Sequence, residues 1–467
     1  MQAGTGSSLS RKKYLSQILN IPENEIKIGA KGTDLYIRLE ENLISIAEAQ
    51  MLQAYTDAVN CTYGAITLQD IISNETEESI ENLWNKKSII EPKLSNNQLI
   101  KNHPGINRFK KSHQSYIPSI DSNTKNISFN RMAPGGHALF GVEALIAAYK
   151  DELRPKYDNL SLISSIGNGE DLGSSPDKYM TAWMVEEQIP IAMVTTTKTN
   201  IDLKGGQIAI VDGENDFITM IEKAQAEQSN QLDFFYSLGL RANDNEAFFN
   251  TNMVLINYQV LSPIIKNLVQ KIGEEKFLEI ITPDLIQNQK EQIDKDGEKR
   301  SYIQLEGAMG STFLNLDKYW RKNFSKPIVH FLNVDKINRT KFFSPIKTAF
   351  DFFMQIHSDR FRFNNKSFVL EYLSSNDLPN IELNDSFYND LSNVLNTFNN
   401  TPIKDLLNLR IKGKCNMSDL TLVGNIEIIN KGDSIIILKE MIDKKITQLE
   451  NIKIIFETDG LVTTTSL

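Results

Sequence analysis

The sequence predicts a doubly wound α/β domain followed by a small β-rich module. Short apolar runs at residues 160–165 and 189–195 are typical of buried strands, and a helix pattern at 176–187 lies between them. Strands that alternate with helices favour a mostly parallel sheet covered on both faces. From residue 409 onward, apolar and polar residues alternate and glycines mark turns, which favours an all-β module such as a β-solenoid. The chain has 467 residues, too many for one compact core, so we expect two or three domains.

Local patterns predict the other elements. They are a polar helix at residues 10–19, a short strand and a helix at 37–55, and a short strand at 64–68. A further helix should run to Trp84, with Ser73 or Asn74 as the capping residue at its start. We place the α/β domain at residues 1–383, a connection at 384–408 and the C-terminal β-module at 409–467.

Composition excludes several classes of protein. The formal net charge is −9, so a basic nucleic-acid surface is not expected. The two cysteines, Cys61 and Cys415, exclude a disulfide framework and a cysteine zinc site, and they suit a reducing compartment. No run of eighteen apolar residues predicts a membrane span, and no signal peptide is recognised. We therefore expect a cytoplasmic protein without membrane contacts, and export without a cleaved signal peptide stays an open alternative.

The first residues have the composition of a loop that wraps phosphate groups. Gly4 and Gly6 would let backbone N–H groups approach phosphate oxygens, and the Ser7 and Ser8 hydroxyls would add donors. A helix that starts near residue 10 would add a favourable dipole. The alternative is a chain terminus with no ligand, and this segment alone does not decide between the two.

A series of short motifs follows along the chain. In order, they lie at residues 1–10, 114–118 (QSYIP), 133–137 (APGGH), 168–173 (NGEDLG), 197–206 (TKTNIDLKGG), 222–225 (EKAQ), 249–252 (FNTN), 304–310 (QLEGAMG) and 343–347 (FSPIK). They resemble, in the same order, motifs of the eukaryotic-type UTP–glucose-1-phosphate uridylyltransferases: L-N-G-G-x-G-T-S-M-G, F-N-Q-S-x-x-P, P-P-G-H-G, N-I-D-N-L-G, K-T-x-x-D-x-K-G-G, L-E-I-A-Q, F-N-T-N, Q-L-E-T-A-A-G and F-L-P-V-K. Each motif is short, but chance rarely produces their shared order.

The resemblance implies a fold and a reaction. The fold would be a glycosyltransferase-A-like mixed sheet with a small C-terminal β-helix-like domain, since residues 409–438 resemble the small β-helix of that family. The reaction would transfer UMP from UTP to a sugar 1-phosphate, with glucose 1-phosphate as the first expectation and Mg²⁺ as the cofactor. The C-terminal module would be a candidate surface for a homo-oligomer.

The same resemblance assigns roles to individual residues. The catalytic lysines would be Lys347 and Lys31; the nucleotide would be bound by Gly4, Gly6, Ser7, Ser8, Gln114, Gly135, Gly136 and His137; the sugar would be bound by Asn168, Gly205, Glu222, Asn250 and Asn252; and the metal would be bound by Glu170 or Asp171. Gln114 would contact the uracil edge, because an amide offers both a donor and an acceptor. Lys347 would be a buried lysine that stays charged because its partners are anionic.

The chain departs from the family pattern at several places. Glu170 stands where the family has aspartate, and one glycine of the phosphate loop is replaced. The family's C-K-G-P-K-S segment finds its nearest match at residues 29–34, later than expected, with Lys31 as the single remaining lysine. His137 lies one step from its expected place.

These departures keep two alternatives open. In one, the acceptor is another sugar 1-phosphate, such as an N-acetylhexosamine 1-phosphate. In the other, the chain is a homologue that binds a nucleotide or a protein without turnover. Each single residue also has an ordinary reading: Lys347 as a solvated lysine at a strand end, or Asn250 and Asn252 as partners of backbone groups.

Overall fold

A computed structural model describes residues 9–39, 42–61, 66–86, 106–152, 162–197, 206–211, 217–233, 248–293, 299–335, 338–442 and 445–467. The α-helices in these ranges are α1 (Lys12–Leu19), α2 (Lys31–Asp34), α3 (Ile46–Cys61), α4 (Glu77–Trp84), α5 (Ala138–Lys150), α6 (Lys178–Glu186), α7 (Lys223–Gln228), α8 (Tyr258–Ile272), α9 (Glu274–Ile281), α10 (Met309–Phe324), α11 (Arg339–Phe342), α12 (Ala349–Phe352), α13 (Leu391–Thr397) and α14 (Leu438–Met441). Short 3-10 helices span Glu23–Glu25 and Ser386–Asn389, and a π-helix spans Phe353–His357.

The strands in the same ranges form several sheets. They are β1 (Tyr36–Leu39), β2 (Asn42–Ser45), β3 (Ile66–Ile72), β4 (Ile106–His113), β5 (Tyr116–Asp121), β6 (Ile127–Pro134), β7 (Ile163–Ile166), β8 (Ile191–Thr197), β9 (Gly206–Val211), β10 (Phe217–Glu222), β11 (Phe248–Asn257), β12 (Leu285–Ile293), β13 (Lys299–Gly307), β14 (Val329–Val334), β15 (Phe361–Phe363), β16 (Leu370–Tyr372), β17 (Asn380–Asn384), β18 (Leu406–Lys412), β19 (Cys415–Asn416), β20 (Thr421–Asn430), β21 (Ile436–Ile437), β22 (Gln448–Phe456) and β23 (Val462–Ser466).

The central sheet is mixed. Its strands follow the order β10-β9-β11-β8-β14, and β7 pairs with β11 on the side away from β8. Strands β8 and β14 are parallel, whereas β11 runs antiparallel to β7, β8 and β9. The expectation of a mostly parallel sheet is therefore wrong for the described strands, because β11 lies with opposite direction in the middle of the sheet. The mixed sheet implied by the resemblance is confirmed.

Helices cover both faces of this sheet, as predicted. On β8, Ile191 and Met193 face one apolar cluster, which includes residues of α5, α8, α9 and α10. Ala192 and Val194 face the other, which includes Met180 and Met184 of α6. All four β8 residues are fully buried, which explains the continuous apolar run that predicted this strand.

The other N-terminal elements agree broadly with the sequence patterns. Strand β2 leads directly into α3, and β3 covers the end of the predicted strand at 64–68. Helix α4 begins at Glu77 with Thr76 at its N-cap, so the prediction of Ser73 or Asn74 as the cap is wrong by two or three residues. Ser73 instead donates its backbone N–H to the Thr76 hydroxyl oxygen at 2.9 Å. A second sheet, β12-β13-β5-β6, is antiparallel, and β3 pairs with β4 in parallel.

The C-terminal module is a short parallel β-solenoid. Strands β17, β18, β20 and β22 are parallel neighbours, and β23 is added antiparallel. Asparagines stack from rung to rung: the Asn408 side chain donates to Asn425, and the Asn425 side chain donates to Asn451. Strand β17 crosses the boundary that we placed at residue 383, so the sheet of this module begins no later than Asn380.

The N-terminal segment packs against this module. Ser10 donates its backbone N–H to the Asn389 carbonyl oxygen and accepts the Leu391 N–H, each at 2.8 Å. Tyr14 and Leu15 of α1 belong to the same apolar cluster as Leu391 of α13. Within the described residues, no helix has the length and apolar character required for a membrane crossing.

Candidate active site

Asn168, Glu170 and Asn250 lie near one edge of the central sheet. The carboxyl ends of β7, β8 and β14 meet at this edge, and the start of β11 joins them because β11 is antiparallel to β7 and β8. Asn250 pairs with Thr195 near the end of β8, and Val254 pairs with Ile166 at the end of β7. Ligands of open α/β sheets bind at the carboxyl ends of parallel strands. The edge is therefore the place where a nucleotide site is expected.

Gln114 and Gly136 form one contact of the site. Gln114 follows β4, is 6% exposed, and donates its side-chain amide to the Gly136 carbonyl oxygen at 2.7 Å. The φ angle of Gly136 is +85°, and a Cβ atom there would lie 3.0 Å from the Glu306 side chain and from the Gly307 backbone. Gly135 accepts the Gly307 N–H at 2.8 Å. Only glycine fits this approach, which fixes the turn before α5 against the end of β13.

His137 lies at the N-cap of α5 and makes no side-chain capping bond. Surrounding protein atoms lower the pKa of its imidazole, and the Glu170 and Glu306 carboxylates oppose this shift. The imidazole is therefore within electrostatic reach of Glu170, one of the two predicted metal ligands.

A β-bulge places Asn250 and Asn252. The register of β11 against β8 shifts between Asn250 and Met253, and Asn252 has a φ angle of +62°. The Asn250 amide donates to the Asn252 side-chain oxygen at 3.0 Å, so the two predicted sugar ligands are in direct contact. A Cβ atom on Gly310 would lie 3.2 Å from the Asn250 amide nitrogen, so the start of α10 approaches this pair closely.

Asn168 and Glu170 lie in the loop after β7. The Asn168 amide donates to the Thr251 carbonyl oxygen at 3.4 Å, which connects this loop to the bulge of β11. The Glu170 carboxylate lies 3.3 Å from the Lys31 ammonium, and its side chain is 33% exposed. Lys31 also donates to the Ile346 carbonyl oxygen at 2.7 Å. Lys31 therefore contacts both the Glu170 loop and the segment that carries Lys347.

Asp171 has a different environment from Glu170. It is fully buried, and its Oδ1 accepts the backbone N–H groups of Gly173 at 2.9 Å and Ser344 at 2.7 Å. Burial raises the pKa of its carboxyl to about 6, against the lowering effect of those two N–H groups. Asp171 thus joins the loop after β7 to the segment before Lys347. Glu170, with its more exposed carboxylate, is the better placed of the two for a metal ion.

Lys347 is exposed rather than buried, so the expected burial of this lysine is wrong. Its ammonium lies 5.7 Å from the ring centroid of Phe249 and 5.8 Å from that of Phe343. The two rings are buried and lie 5.5 Å apart. The nearby Asp351 carboxylate accepts the Lys347 backbone N–H at 3.0 Å. Among the described residues, the ammonium has no ion-pair partner and is held over two aromatic faces, which attract a cation without neutralising it.

These contacts form one continuous path through the described candidate residues. In order, it joins Gln114, Gly136, Gly307, the 307–310 segment, Asn250, Thr251, Asn168, Glu170, Lys31, Ile346, Lys347 and Phe249. Residues that are far apart in sequence are therefore linked by contacts, and their roles toward a ligand stay predictions.

Part of the predicted site lies outside the described residues. This applies to Gly4, Gly6, Ser7, Ser8 and Gly205, and to the side chain of Glu222, whose backbone ends β10. Their roles stay predictions.

A family model described as UTP–glucose-1-phosphate uridylyltransferase matches residues 88–422. The chain belongs to this family. The matched span contains the predicted site residues from Gln114 to Lys347, whereas Lys31 and the phosphate loop precede it.

Individual members of the UTP–glucose-1-phosphate uridylyltransferase family are distant relatives. The protein of that name from Saccharomyces cerevisiae is 28% identical over 266 residues, which are 56% of this chain and 46% of the yeast protein. The one from Encephalitozoon cuniculi is 25% identical over 354 residues, 73% of this chain and 60% of that protein. The chain thus spans about half the length of the curated relatives it matches.

Solved structures of this family share the fold. A UDP-glucose pyrophosphorylase from Leishmania major, crystallised as a mutant in complex with UDP-glucose, has a TM-score of 0.67 and 19% identity, and covers 97% of this chain and 84% of that one. A protein from Trypanosoma brucei described as UDP-glucose phosphorylase has a TM-score of 0.66 and 19% identity, with 98% and 84% coverage.

Two features of the site escaped sequence reasoning. The Gln50 amide of α3 donates to the carbonyl oxygens of Asn168, at 2.7 Å, and Asp171. A single glutamine on a helix gives no sequence signal for such a long-range contact. The aromatic pair of Phe249 and Phe343 was also missed as a support for Lys347, although both residues begin motifs that the sequence displays.

Proposed function

We propose that the chain transfers UMP from UTP to glucose 1-phosphate, giving UDP-glucose and pyrophosphate. The observation that carries the proposal is the path of contacts between Lys31, Glu170, Asn250 and Lys347. Two lysines, one carboxylate and a pair of amides suit a substrate with anionic phosphates and a neutral sugar. The family of the chain supports the choice of UTP and glucose 1-phosphate.

The reaction requires positioning and charge stabilisation. The phosphate oxygen of glucose 1-phosphate is already an anion when it attacks the α-phosphorus of UTP, so no general base is needed. Charge on the phosphate oxygens would be stabilised by the Lys347 and Lys31 ammonium groups. Lys347 suits this role because the aromatic rings hold it while its charge stays available.

The amides would hold the neutral parts of the substrates. Asn250, Asn252 and Asn168 are linked to one another through the bulge of β11, so they can present donors and acceptors to sugar hydroxyls as one group. Gln114 uses one amide N–H on Gly136, and its other amide atoms suit the uracil edge. Gly4, Gly6, Ser7, Ser8, Gly205 and Glu222 complete the site by resemblance.

Glu170 fits a magnesium ion. Mg²⁺ in phosphate-transfer sites is bound through one or two carboxylates together with substrate phosphates. No group of three or more potential ligand side chains occurs within the described ranges, so one partly exposed carboxylate with phosphate oxygens is the arrangement that fits. When bound, the ion would neutralise charge between the two anionic substrates.

The setting of the reaction belongs to the same proposal. Two cysteines far apart in sequence suit a reducing compartment, and we place the reaction in the cytoplasm. The C-terminal β-solenoid would be the surface for self-association.

Pyrophosphate release is the direct test. The purified chain is mixed with UTP, Mg²⁺ and either glucose 1-phosphate or an N-acetylhexosamine 1-phosphate, and pyrophosphate and the UDP-sugar are measured. We expect turnover with glucose 1-phosphate, and a preference for the other sugar would select the alternative acceptor. Absence of pyrophosphate with every acceptor would refute the proposed transferase activity. In that case, a rise of the thermal midpoint with UTP would identify a binding homologue.

Two lysine variants, one at the site and one as its control, test the role of Lys347. Lys347→Met should lower kcat by at least about 100-fold, equivalent to about 2.7 kcal/mol, because a charge on the phosphates is lost. Lys341→Met is the control, since Lys341 lies in the same segment, is partly exposed and contacts the Phe342 ring, but pairs with Asp177. Equal activity of the two variants would remove Lys347 from the mechanism.

A further inference from the structure

An ion pair is buried beside residues 29–34, the Lys31 loop, which include the short helix α2. The Arg11 guanidinium donates from Nε and Nη2 to Asp34 Oδ2, at 3.0 and 2.7 Å. The side chains of Arg11 and Asp34 are 1% and 10% exposed. Buried ion pairs are costly to desolvate and often serve a structural or functional role.

The pair closes the Lys31 loop. The Gly29 N–H donates to the same Asp34 Oδ2 at 2.9 Å, and Arg11 Nη2 donates to the Gly29 carbonyl oxygen at 3.0 Å. Residues 29 and 34 are thereby joined on either side of Lys31. The Lys31 ammonium leaves this closed loop in one direction, toward Ile346 and Glu170.

The residue before Arg11 is bound to the C-terminal part of the chain. Its neighbour Ser10 makes two backbone hydrogen bonds to residues 389–391, and the Ser10 hydroxyl donates to Asp390 at 3.0 Å. Arg11 therefore connects the Lys31 loop to a fixed point on the C-terminal part of the chain.

Position 34 also matters for charge. In the C-K-G-P-K-S match, Lys31 stands at the first lysine and Asp34 at the second. An uncompensated carboxylate three residues from Lys31 would repel a triphosphate. The Arg11 guanidinium cancels this charge at 2.7 Å.

We propose that Arg11 and Asp34 are a positioning pair, which fixes the Lys31 loop and keeps its surroundings free of net negative charge. This inference rests on the proposed function, in which Lys31 contacts the phosphates. Both side chains are buried, so they would act through Lys31.

The test asks whether the effect of changing Arg11 and Asp34 depends on the presence of Lys31. Arg11→Gln combined with Asp34→Asn removes both charges and keeps side chains of similar size. We expect kcat/KM to fall at least about tenfold, because small misplacements of a catalytic group cost this much. In a Lys31→Met background, the same two changes should lower kcat/KM by less than about twofold, since residues that act through one another are not additive.

Controls separate positioning from general loss of structure. The thermal midpoint of every variant is measured, and Arg11→Met with Asp34→Leu is a second form of the pair, because apolar replacement of a buried ion pair is often neutral for stability. Lys266→Gln with Asp151→Asn neutralises an ion pair of 2.7 Å between α8 and the end of α5, and should leave kcat/KM unchanged. Additive effects of the pair and Lys31→Met would overturn the positioning role.

Failure of the proposed function can be distinguished from failure of the positioning role. If the unmodified chain releases no pyrophosphate, the function is refuted, and the same variants are compared by the rise in thermal midpoint with UTP. A positioning pair predicts that this rise shrinks in the pair variant and in Lys31→Met, with no further loss when they are combined. An unchanged rise in the pair variant would refute the positioning role.

Discussion

Replacement of Asp171 by asparagine should change how stability depends on pH. The carboxyl is fully buried, its Oδ2 has no hydrogen-bond partner in the described part of the chain, and burial raises its pKa from 3.8 to about 6. The native state therefore binds this proton more tightly than the unfolded state does. Its stabilising effect is fully present below pH 3.8 and is lost as the pH rises through 6.

The magnitude follows from the shift. The difference between a pKa of 3.8 and one of about 6 corresponds to about 3 kcal/mol. Relative to Asp171→Asn, the unmodified chain should thus lose about 3 kcal/mol of unfolding free energy between about pH 3 and pH 7. An unpaired asparagine amide would add a constant offset, which does not change the slope.

Urea denaturation without magnesium at a series of pH values measures how the free energy of unfolding changes with pH. Asp433→Asn, at an exposed turn position, is the control and should give a curve parallel to that of the unmodified chain. Parallel curves for Asp171→Asn and the unmodified chain would refute the reasoning about the buried carboxyl.

Three further predictions concern single positions. Phe343→Leu should lower kcat by about two- to fivefold, because one of the two rings that hold the Lys347 ammonium is lost, at about 0.5–1 kcal/mol per ring; Phe363→Leu is a control for the loss of an aromatic ring away from the site, and equal effects on kcat would contradict the prediction. Gly136→Ala should destabilise the fold by at least about 1 kcal/mol in urea denaturation, because φ is +85° and the added Cβ atom would lie 3.0 Å from atoms of Glu306 and Gly307. An unchanged denaturation midpoint would contradict this prediction. In a Cys61→Ser background, a thiol reagent at pH 8 should label Cys415 only after unfolding, since Cys415 is fully buried and burial raises the pKa of its thiol to about 12; rapid labelling of the native chain would contradict it.

Patterns that report local structure predicted much of the fold. The unbroken apolar run of β8 arises because both faces of that strand are covered, and the alternation in β20 arises because one face of the solenoid is buried and the other is more exposed. Strand direction was not predictable in the same way. Whether β11 runs with or against β8 depends on the connections between them, which a local pattern does not contain.

In the site, too, some features were predictable from the sequence and others depend on packing. The resemblance implied that Asn168, Asn250 and Lys347 share a site; Asn168 contacts Thr251 and Lys347 lies over Phe249, on either side of Asn250 in the chain, while their roles stay predictions. Exposure of Lys347 was not predictable, because it depends on how Phe249 and Phe343 pack beneath it. The pairing of Arg11 with Asp34 spans 23 residues, and an isolated arginine in a polar helix pattern gives no signal for it.

A crystal structure of the chain with UDP-glucose and Mg²⁺ would test the central claim most directly. We expect the phosphates to lie within about 4 Å of the Lys347 and Lys31 ammonium groups, and the glucose to lie against Asn250. Ligand bound at another surface, or phosphates remote from both lysines, would contradict it.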